Sequence, residues 1–342
     1  PGFHQKNKQV LQSVLTSSVE TKQSKESNIT YRIDKNEVQQ GLALARFNLL
    51  NLFLPAVDVN AAVIDEKTGM PVMLKSSQGG DQKTRSLLVD NRPPLFKPGS
   101  EPPLVQYELS KDSNFNVDQI AAIDKVMRAE DYALILGMPG TGKTTVIAEI
   151  IRILVSQGKT ILLTSYTHSA VDNILIKLKK SGIDILRLGN RNRVHPEVID
   201  FLPDYSDLNT YESLVDQFQV PSVVATTCLG INDVLLSLRK QDFDYVILDE
   251  ASQVSMPVAL GPLRFSDKFI LVGDHYQLPP LVKNEAARTG GLEVSLFKML
   301  GDSHPESVVE LTHQYRMCGD IMALSNNLMY DGKLKCGTTD IQ

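Results

Sequence analysis

Residues Gly137-Met138-Pro139-Gly140-Thr141-Gly142-Lys143-Thr144 fit G-x-x-x-x-G-K-[ST] without a gap. Few short patterns constrain a fold as tightly, because this one works only between a buried strand and a helix. Both flanks are legible: Tyr132–Leu136 is a short apolar run, and Lys143–Ser156 is an amphipathic helical stretch. The glycines let backbone N–H groups wrap a β-phosphate at the positive end of that helix. Lys143 is expected to neutralise β/γ oxygens and the Thr144 hydroxyl to ligate Mg²⁺, with Thr145 completing the cradle. By accident the pattern arises in roughly 1% of chains of this length, so ATP or a close relative is the expected ligand.

The surrounding pattern agrees. After Asn114, short apolar runs (Thr160–Thr164, Val223–Thr227, Tyr245–Leu248, Phe269–Val272) alternate with helical stretches such as His168–Lys180. Alternation of this kind predicts a parallel sheet with helices on both faces. A strand at Val308–Leu311 and a helix at Asp320–Tyr330 follow. Ahead of the motif, Asn36–Phe53 carries apolar residues at helical spacing, stopped by Pro55. Residues 4–28 are polar, 65–85 read as an exposed loop, and 91–103 hold five prolines in linker composition. The expected organisation is a connector over 1–110, an α/β domain over 111–303 and the opening of a further domain over 304–342.

A triphosphate site also needs an acidic metal ligand and a group that polarises water. The run Tyr245–Leu248 ends in Asp249-Glu250-Ala251-Ser252, and a strand delivers its last residue to the carboxyl edge of the sheet, where the P-loop lies. Asp249 is expected to hold Mg²⁺ through water, and Glu250 to orient or deprotonate the attacking water. The next run ends in Gly273–Pro280, placing the Gln277 amide where it could sense a γ-phosphate. Gln119, just before the P-loop strand, can both donate to and accept from an adenine edge. Arg316, after the last strand, could stabilise transition-state charge as an arginine finger.

Bulk properties exclude little. The 342 residues are 42% hydrophobic and 22% charged with a net charge of −5, which suits a soluble globular protein and gives no basic footprint for nucleic acid. Cys228, Cys318 and Cys336 lack metal or disulfide spacing and read as reduced intracellular thiols. The apolar stretch Leu42–Ile64 is interrupted by Arg46, Asn48, Asn51, Pro55 and Asp58, so no membrane span is expected. The start at Pro1 without a basic-then-apolar leader suggests an unsecreted fragment.

Taken in order, these residues resemble the motif series of superfamily 1 helicases over 115–336. Gln119 falls in the Q motif, Gly137–Thr144 in motif I, Thr164–Asn173 in motif Ia, Asp249–Ser252 in motif II, Gly273–Pro280 in motif III and Gln314–Met317 in motif IV. The D-E-A-S and Q-Y-R-M forms resemble the 1B branch, which moves 5′→3′ on single strands. The wording is closest to the eukaryotic DNA-replication helicase–nuclease family, including Tyr31–Lys35 and Leu88–Pro94 in the connector. The resemblance implies a RecA-like P-loop fold for the central domain and the start of a second RecA-like domain after it. It implies a nuclear motor on single-stranded DNA, with a single-strand-binding protein as partner. Thr164, Ser165, Thr167 and His168, and then Thr226 and Thr227, would touch the strand backbone. Arg187, Arg191, Arg193 and the cluster Lys177, Lys179, Lys180 are open between phosphate contacts and a solvated surface. Motifs V and VI, the nuclease carboxylates and the cysteines of a 4Fe–4S cluster are expected elsewhere in the parent protein. An RNA helicase of the same branch and a non-translocating P-loop switch remain alternatives, and the connector favours DNA.

Overall fold

The computed structural model describes residues 37–53, 63–64, 71–72, 82–98, 109, 114–204, 219–233, 236, 239 and 241–338. Expectations for 4–28, Tyr31–Lys35 and most of 54–81 and 99–113 lie outside these. Strands β1 (Tyr132–Gly137), β2 (Ile161–Ser165), β3 (Ile185–Arg187), β4 (Val223–Thr227), β5 (Tyr245–Asp249), β6 (Phe269–Gly273) and β7 (Val308–Leu311) form one seven-stranded sheet in the order β3-β4-β2-β5-β6-β1-β7. Every pairing in it is parallel. Every residue of β1, β2, β4, β5 and β6 is buried, as expected of strands covered on both faces.

Alternation sorts these residues onto two cores. Ala133, Ile135, Leu163, Ala225, Ile247 and Val272 point to one side. They meet α3 (Val117–Arg128), α4 (Lys143–Ser156) and α5 (His168–Leu178). Ile147, Ile150, Ile151 and Leu154 of α4 lie within 1% of full burial, each contributing about 1.5–3 kcal/mol of transfer free energy. Leu134, Leu136, Leu162, Val224, Leu248 and Leu271 point the other way, toward α6 (Met256–Leu263) and α7 (Leu296–Ser303). The helix expected at 36–53 is α1 (Glu37–Phe53); Leu49 and Leu52 pack on Leu260 of α6. There the Asn48 amide donates to the Pro257 carbonyl at 3.0 Å. No helix among the described residues is long and apolar enough to cross a membrane.

Several expectations need correction. Residues 82–85, assigned to an exposed loop, open α2 (Gln82–Leu88), because Leu87 at its end is buried in the second core. The described part of the proline-rich stretch, 91–98, is docked on the domain. Asp131 accepts from the Leu95 backbone at 2.9 Å and pairs with Arg92 at 3.1 Å and Lys83 at 3.0 Å. Burial alone would raise the Asp131 pKa, but these three donors hold it below the usual carboxylate range. Ile185–Arg187, an edge strand without an expectation, was hidden by its three-residue length. The strand Val308–Leu311, assigned beyond a boundary at 303, pairs with β1 and completes the same sheet. The helix expected at 320–330 divides into α8 (Gly319–Ser325) and a π-turn over Asn326–Tyr330.

Candidate nucleotide site

The carboxyl edge of the sheet collects most of the residues expected at a nucleotide site. Gly140 and Gly142 adopt φ of 75° and 85°, a region costly for any residue with a Cβ. Gly142 is the N-cap of α4 and supplies no side-chain cap, which leaves the start of the helix suited to an anion. A cleft of about 480 Å³ opens here, lined by Met138 to Thr145, Asp249, Glu250, Gln277 and Arg316. These four segments, widely separated in sequence, therefore converge on one space.

Electrostatics mark the acidic side of the cleft. Asp249, 4% exposed, leaves one carboxylate oxygen without a hydrogen-bond partner. Burial, and then the Glu250 charge, push its pKa up to about 7 against the pull of Lys143. An orphaned, desolvated carboxylate facing a phosphate cradle fits the donor chemistry of Mg²⁺, which prefers one or two carboxylate contacts and otherwise water and phosphate. Glu250 sits at φ 53°, ψ 35°, a left-handed conformation costing about 1–2 kcal/mol outside glycine; such outliers cluster at working sites. Its carboxylate accepts from the Gln253 amide at 3.1 Å. Lys143 donates to the Gly137 carbonyl at 2.8 Å, which parks the ammonium across the turn of the loop.

Gln277 reaches the cleft from the loop after β6, and its amide also donates to Asp274 at 2.7 Å. That loop is pressed on the Asp249 loop: a Cβ at Gly273 would lie 2.8 Å from the Ser252 nitrogen. Arg316 arrives on the segment after β7, which is tied down in three ways. The Tyr315 N–H donates to the Gly140 carbonyl at 2.9 Å. Gln314, fully buried, accepts from the Arg316 and Met317 N–H groups at 2.8 and 2.7 Å. Asp118 accepts from Thr312 and His313, and these bonds outweigh burial and hold its pKa below the usual range.

Gln119 is placed differently from the expectation. It is buried and does not line the cleft: Nε2 donates to the Thr141 carbonyl at 3.1 Å and Oε1 accepts from the Asn116 N–H at 3.1 Å. With Asn116 it forms the capping box of α3 and braces the P-loop through Thr141.

The residues expected on a nucleic-acid strand divide as well. Thr164, Ser165, Thr226 and Thr227 are buried at the ends of their strands. Thr164 approaches the Cys228 thiol at 3.5 Å, and Thr227 accepts from the Gly230 N–H at 3.1 Å. Thr167 caps α5 and stays exposed beside Tyr166, with His168 half-buried next to them. Arg187, left open as a phosphate contact, is fully buried: it donates to Asp172 at 2.8 Å and approaches His168 Nδ1 at 3.0 Å. Burial and the adjacent Arg187 charge lower the His168 pKa. The lysine cluster splits, since Lys177 lines the nucleotide cleft whereas Lys179 bonds the Glu197 carbonyl at 2.7 Å. Asn173 and Lys177 were missed as cleft residues; with Ala170 they share one face of α5 at helical spacing.

Compared with known proteins, residues 114–210 and 204–285 match a family model described as an AAA domain, and 292–342 match a second model of the same description. The Saccharomyces cerevisiae DNA replication ATP-dependent helicase/nuclease DNA2 is 62% identical over 333 residues, covering 97% of this chain and 22% of that protein. Its Schizosaccharomyces pombe counterpart is 44% identical over 312 residues, covering 91% and 20%. The chain thus spans about a fifth of the length of these relatives. Among solved structures, an arterivirus nonstructural protein 10 helicase bound to DNA aligns at 16% identity and a TM-score of 0.40, over 60% of this chain and 42% of that one.

Proposed function

The chain belongs to the AAA domain family, as a helicase motor segment of superfamily 1B akin to the DNA replication helicase/nucleases, and from that premise we propose that it couples ATP hydrolysis to 5′→3′ movement along single-stranded DNA. One observation carries the reading: Lys143, Thr144, Asp249, Glu250, Gln277 and Arg316 line a single cleft. The P-loop N–H groups and Lys143 bind the β- and γ-phosphates. Thr144 and Asp249 hold Mg²⁺, which when bound neutralises charge on the phosphate oxygens. Glu250 orients the attacking water and accepts its proton, held in place by its left-handed backbone. Gln277 reads the γ-phosphate, and Arg316 meets the charge that develops as the phosphoryl group transfers. Gln119 acts through the P-loop it braces. Thr167 and His168 are the strand contacts the exposed surface supports best.

Residues 111–311 form the motor's first domain in this reading, preceded by a connector and followed by the opening of a second. Nuclease chemistry with its 4Fe–4S cluster, nuclear residence and a single-strand-binding partner are proposed for the longer protein of which this is a segment. The test is ATP hydrolysis by that longer protein with no polymer, with single-stranded DNA and with single-stranded RNA. Stimulation by DNA alone is expected. Equal stimulation by RNA favours an RNA helicase of the same branch. Indifference to both, with Glu250→Gln hydrolysing like the wild type, overturns the motor.

A further inference from the structure

Asp274 occupies a place that the proposed chemistry does not use. It follows β6, is 1% exposed, and every contact of its carboxylate is accounted for. Oδ1 accepts from the Tyr276 N–H at 3.1 Å. Oδ2 accepts from two donors, the Gln277 amide at 2.7 Å and the Tyr330 hydroxyl at 2.9 Å. Its own N–H donates to the Ser252 hydroxyl at 3.1 Å. The two donors on Oδ2 differ in what else they reach. Gln277 lines the nucleotide cleft. Tyr330 lies more than fifty positions later, at the end of the π-turn that continues α8, and is 2% exposed. Its ring packs edge-on to Tyr276 at 5.8 Å and shares an apolar cluster with Met138 of the P-loop and Leu334.

In this arrangement one N–H of the Gln277 amide is committed to Asp274 while the residue lines the cleft. A γ-phosphate oxygen competes with Oδ2 for the Gln277 amide, and a buried carboxylate that loses a donor is costly. A second donor on the same oxygen lowers that cost, because the charge keeps a partner while Gln277 is away. Burial and the Asp274 hydrogen bond both raise the Tyr330 pKa, so the phenol remains a donor throughout the physiological range. We infer that Tyr330 is a positioning residue for Gln277, its hydroxyl holding the Asp274 carboxylate so that the glutamine can move between Asp274 and the terminal phosphate. The inference deepens the proposed function and rests on Gln277 reading the γ-phosphate.

The test is a double-mutant cycle in the longer protein, with Tyr330→Phe, Gln277→Ala and the pair. The readouts are kcat with and without single-stranded DNA and the Kd of a fluorescent ATP analogue. Tyr330→Phe is expected to lower kcat roughly tenfold, the scale of one hydrogen bond to a charged group, while leaving Kd within about twofold. In the Gln277→Ala background the same substitution is expected to change kcat little, since there is no amide left to release. Leu334→Ala loosens the same apolar cluster without touching Asp274; it should lower Tm and leave kcat within about twofold. The inference is overturned if Tyr330→Phe leaves kcat unchanged, if its loss is equal in both backgrounds, or if Leu334→Ala reproduces it. Hydrolysis without polymer carries the same comparison, so a wild-type protein that ignores single strands overturns the motor reading alone.

Discussion

Replacing Asp249 by asparagine should stabilise the nucleotide-free protein while disabling it. The carboxyl is 4% exposed, one of its oxygens is unpartnered, and burial followed by the Glu250 charge pushes its pKa up to about 7 from 3.8. In the unfolded chain the group ionises near 3.8, so between those values the native state binds the extra proton. Stability therefore falls as pH rises through this window, and the penalty is complete above pH 7. Holding the carboxylate ionised at pH 8 costs about 4 kcal/mol by this difference, or roughly 2–4 kcal/mol once water penetration and local relaxation are allowed for. Asparagine keeps the shape and removes the charge. At about 2–4 °C per kcal/mol for a domain of this size, the variant should melt roughly 5–10 °C above the wild type at pH 8. The gap should shrink as pH falls and close near pH 4, where both states are protonated. The assay is a thermal melt across pH 4–8, repeated with saturating Mg²⁺ and ATP. Ligand at a hundred times its Kd adds about 2.7 kcal/mol to the wild type and should add far less to the variant. A variant melting at or below the wild type at pH 8, or a gap that persists undiminished at pH 4, refutes the argument from burial.

Three further substitutions test other parts of the molecule. Glu250→Gln should retain ATP binding and lose roughly 10²–10⁴-fold in kcat, read by single-turnover hydrolysis beside an ATP-binding titration. Gly142→Ala places a Cβ 2.7 Å from Gln119 Nε2 at a φ of 85°. It should therefore cost about 1–2 kcal/mol from the backbone alone and weaken nucleotide binding, both visible in melts with and without ATP. Arg187→Met leaves Asp172 buried without its partner and should destabilise by about 3–5 kcal/mol; denaturant unfolding measures it, and a loss below about 1 kcal/mol would contradict the ion pair's enclosure.

The fold was readable where chemistry and periodicity spoke together. Glycines at fixed offsets, a lysine and a threonine permit few arrangements other than strand, loop and helix, and the apolar runs at Tyr245–Leu248 and Phe269–Val272 each end one residue short of the observed strand. What stayed hidden is tertiary. The resemblance puts Thr164, Ser165, Thr226 and Thr227 against a nucleic-acid strand, yet strand ends in a sheet covered on both faces are interior positions whatever their polarity. Gln119 carries the same functional groups whether it meets adenine or Thr141, and only the packing of α3 against the P-loop distinguishes them. Tyr330 and Asp274 show no local pattern, because their meeting depends on how the segment after β7 folds back. The proline-rich composition of 91–103 reads as a linker and does not show the anchor of its described part, since Asp131 lies more than thirty positions away.

Helix α5 has a geometric consequence. Its cap, Thr167, is on the open surface, while Ala170, Asn173 and Lys177 face the nucleotide cleft. The proposed strand contact and the nucleotide cleft are thus mounted on one rod of eleven residues, about 16 Å long, with no hinge between them. A tilt of about 5° imposed at one end carries the other by on the order of 1 Å, enough to make or break a hydrogen bond. The phase between the surfaces is set by helical pitch: one residue inserted between Asn173 and Ile176 would rotate Lys177 by about 100° out of alignment. The rod converts a small angular input into a linear output, and its calibration is the count of residues along it.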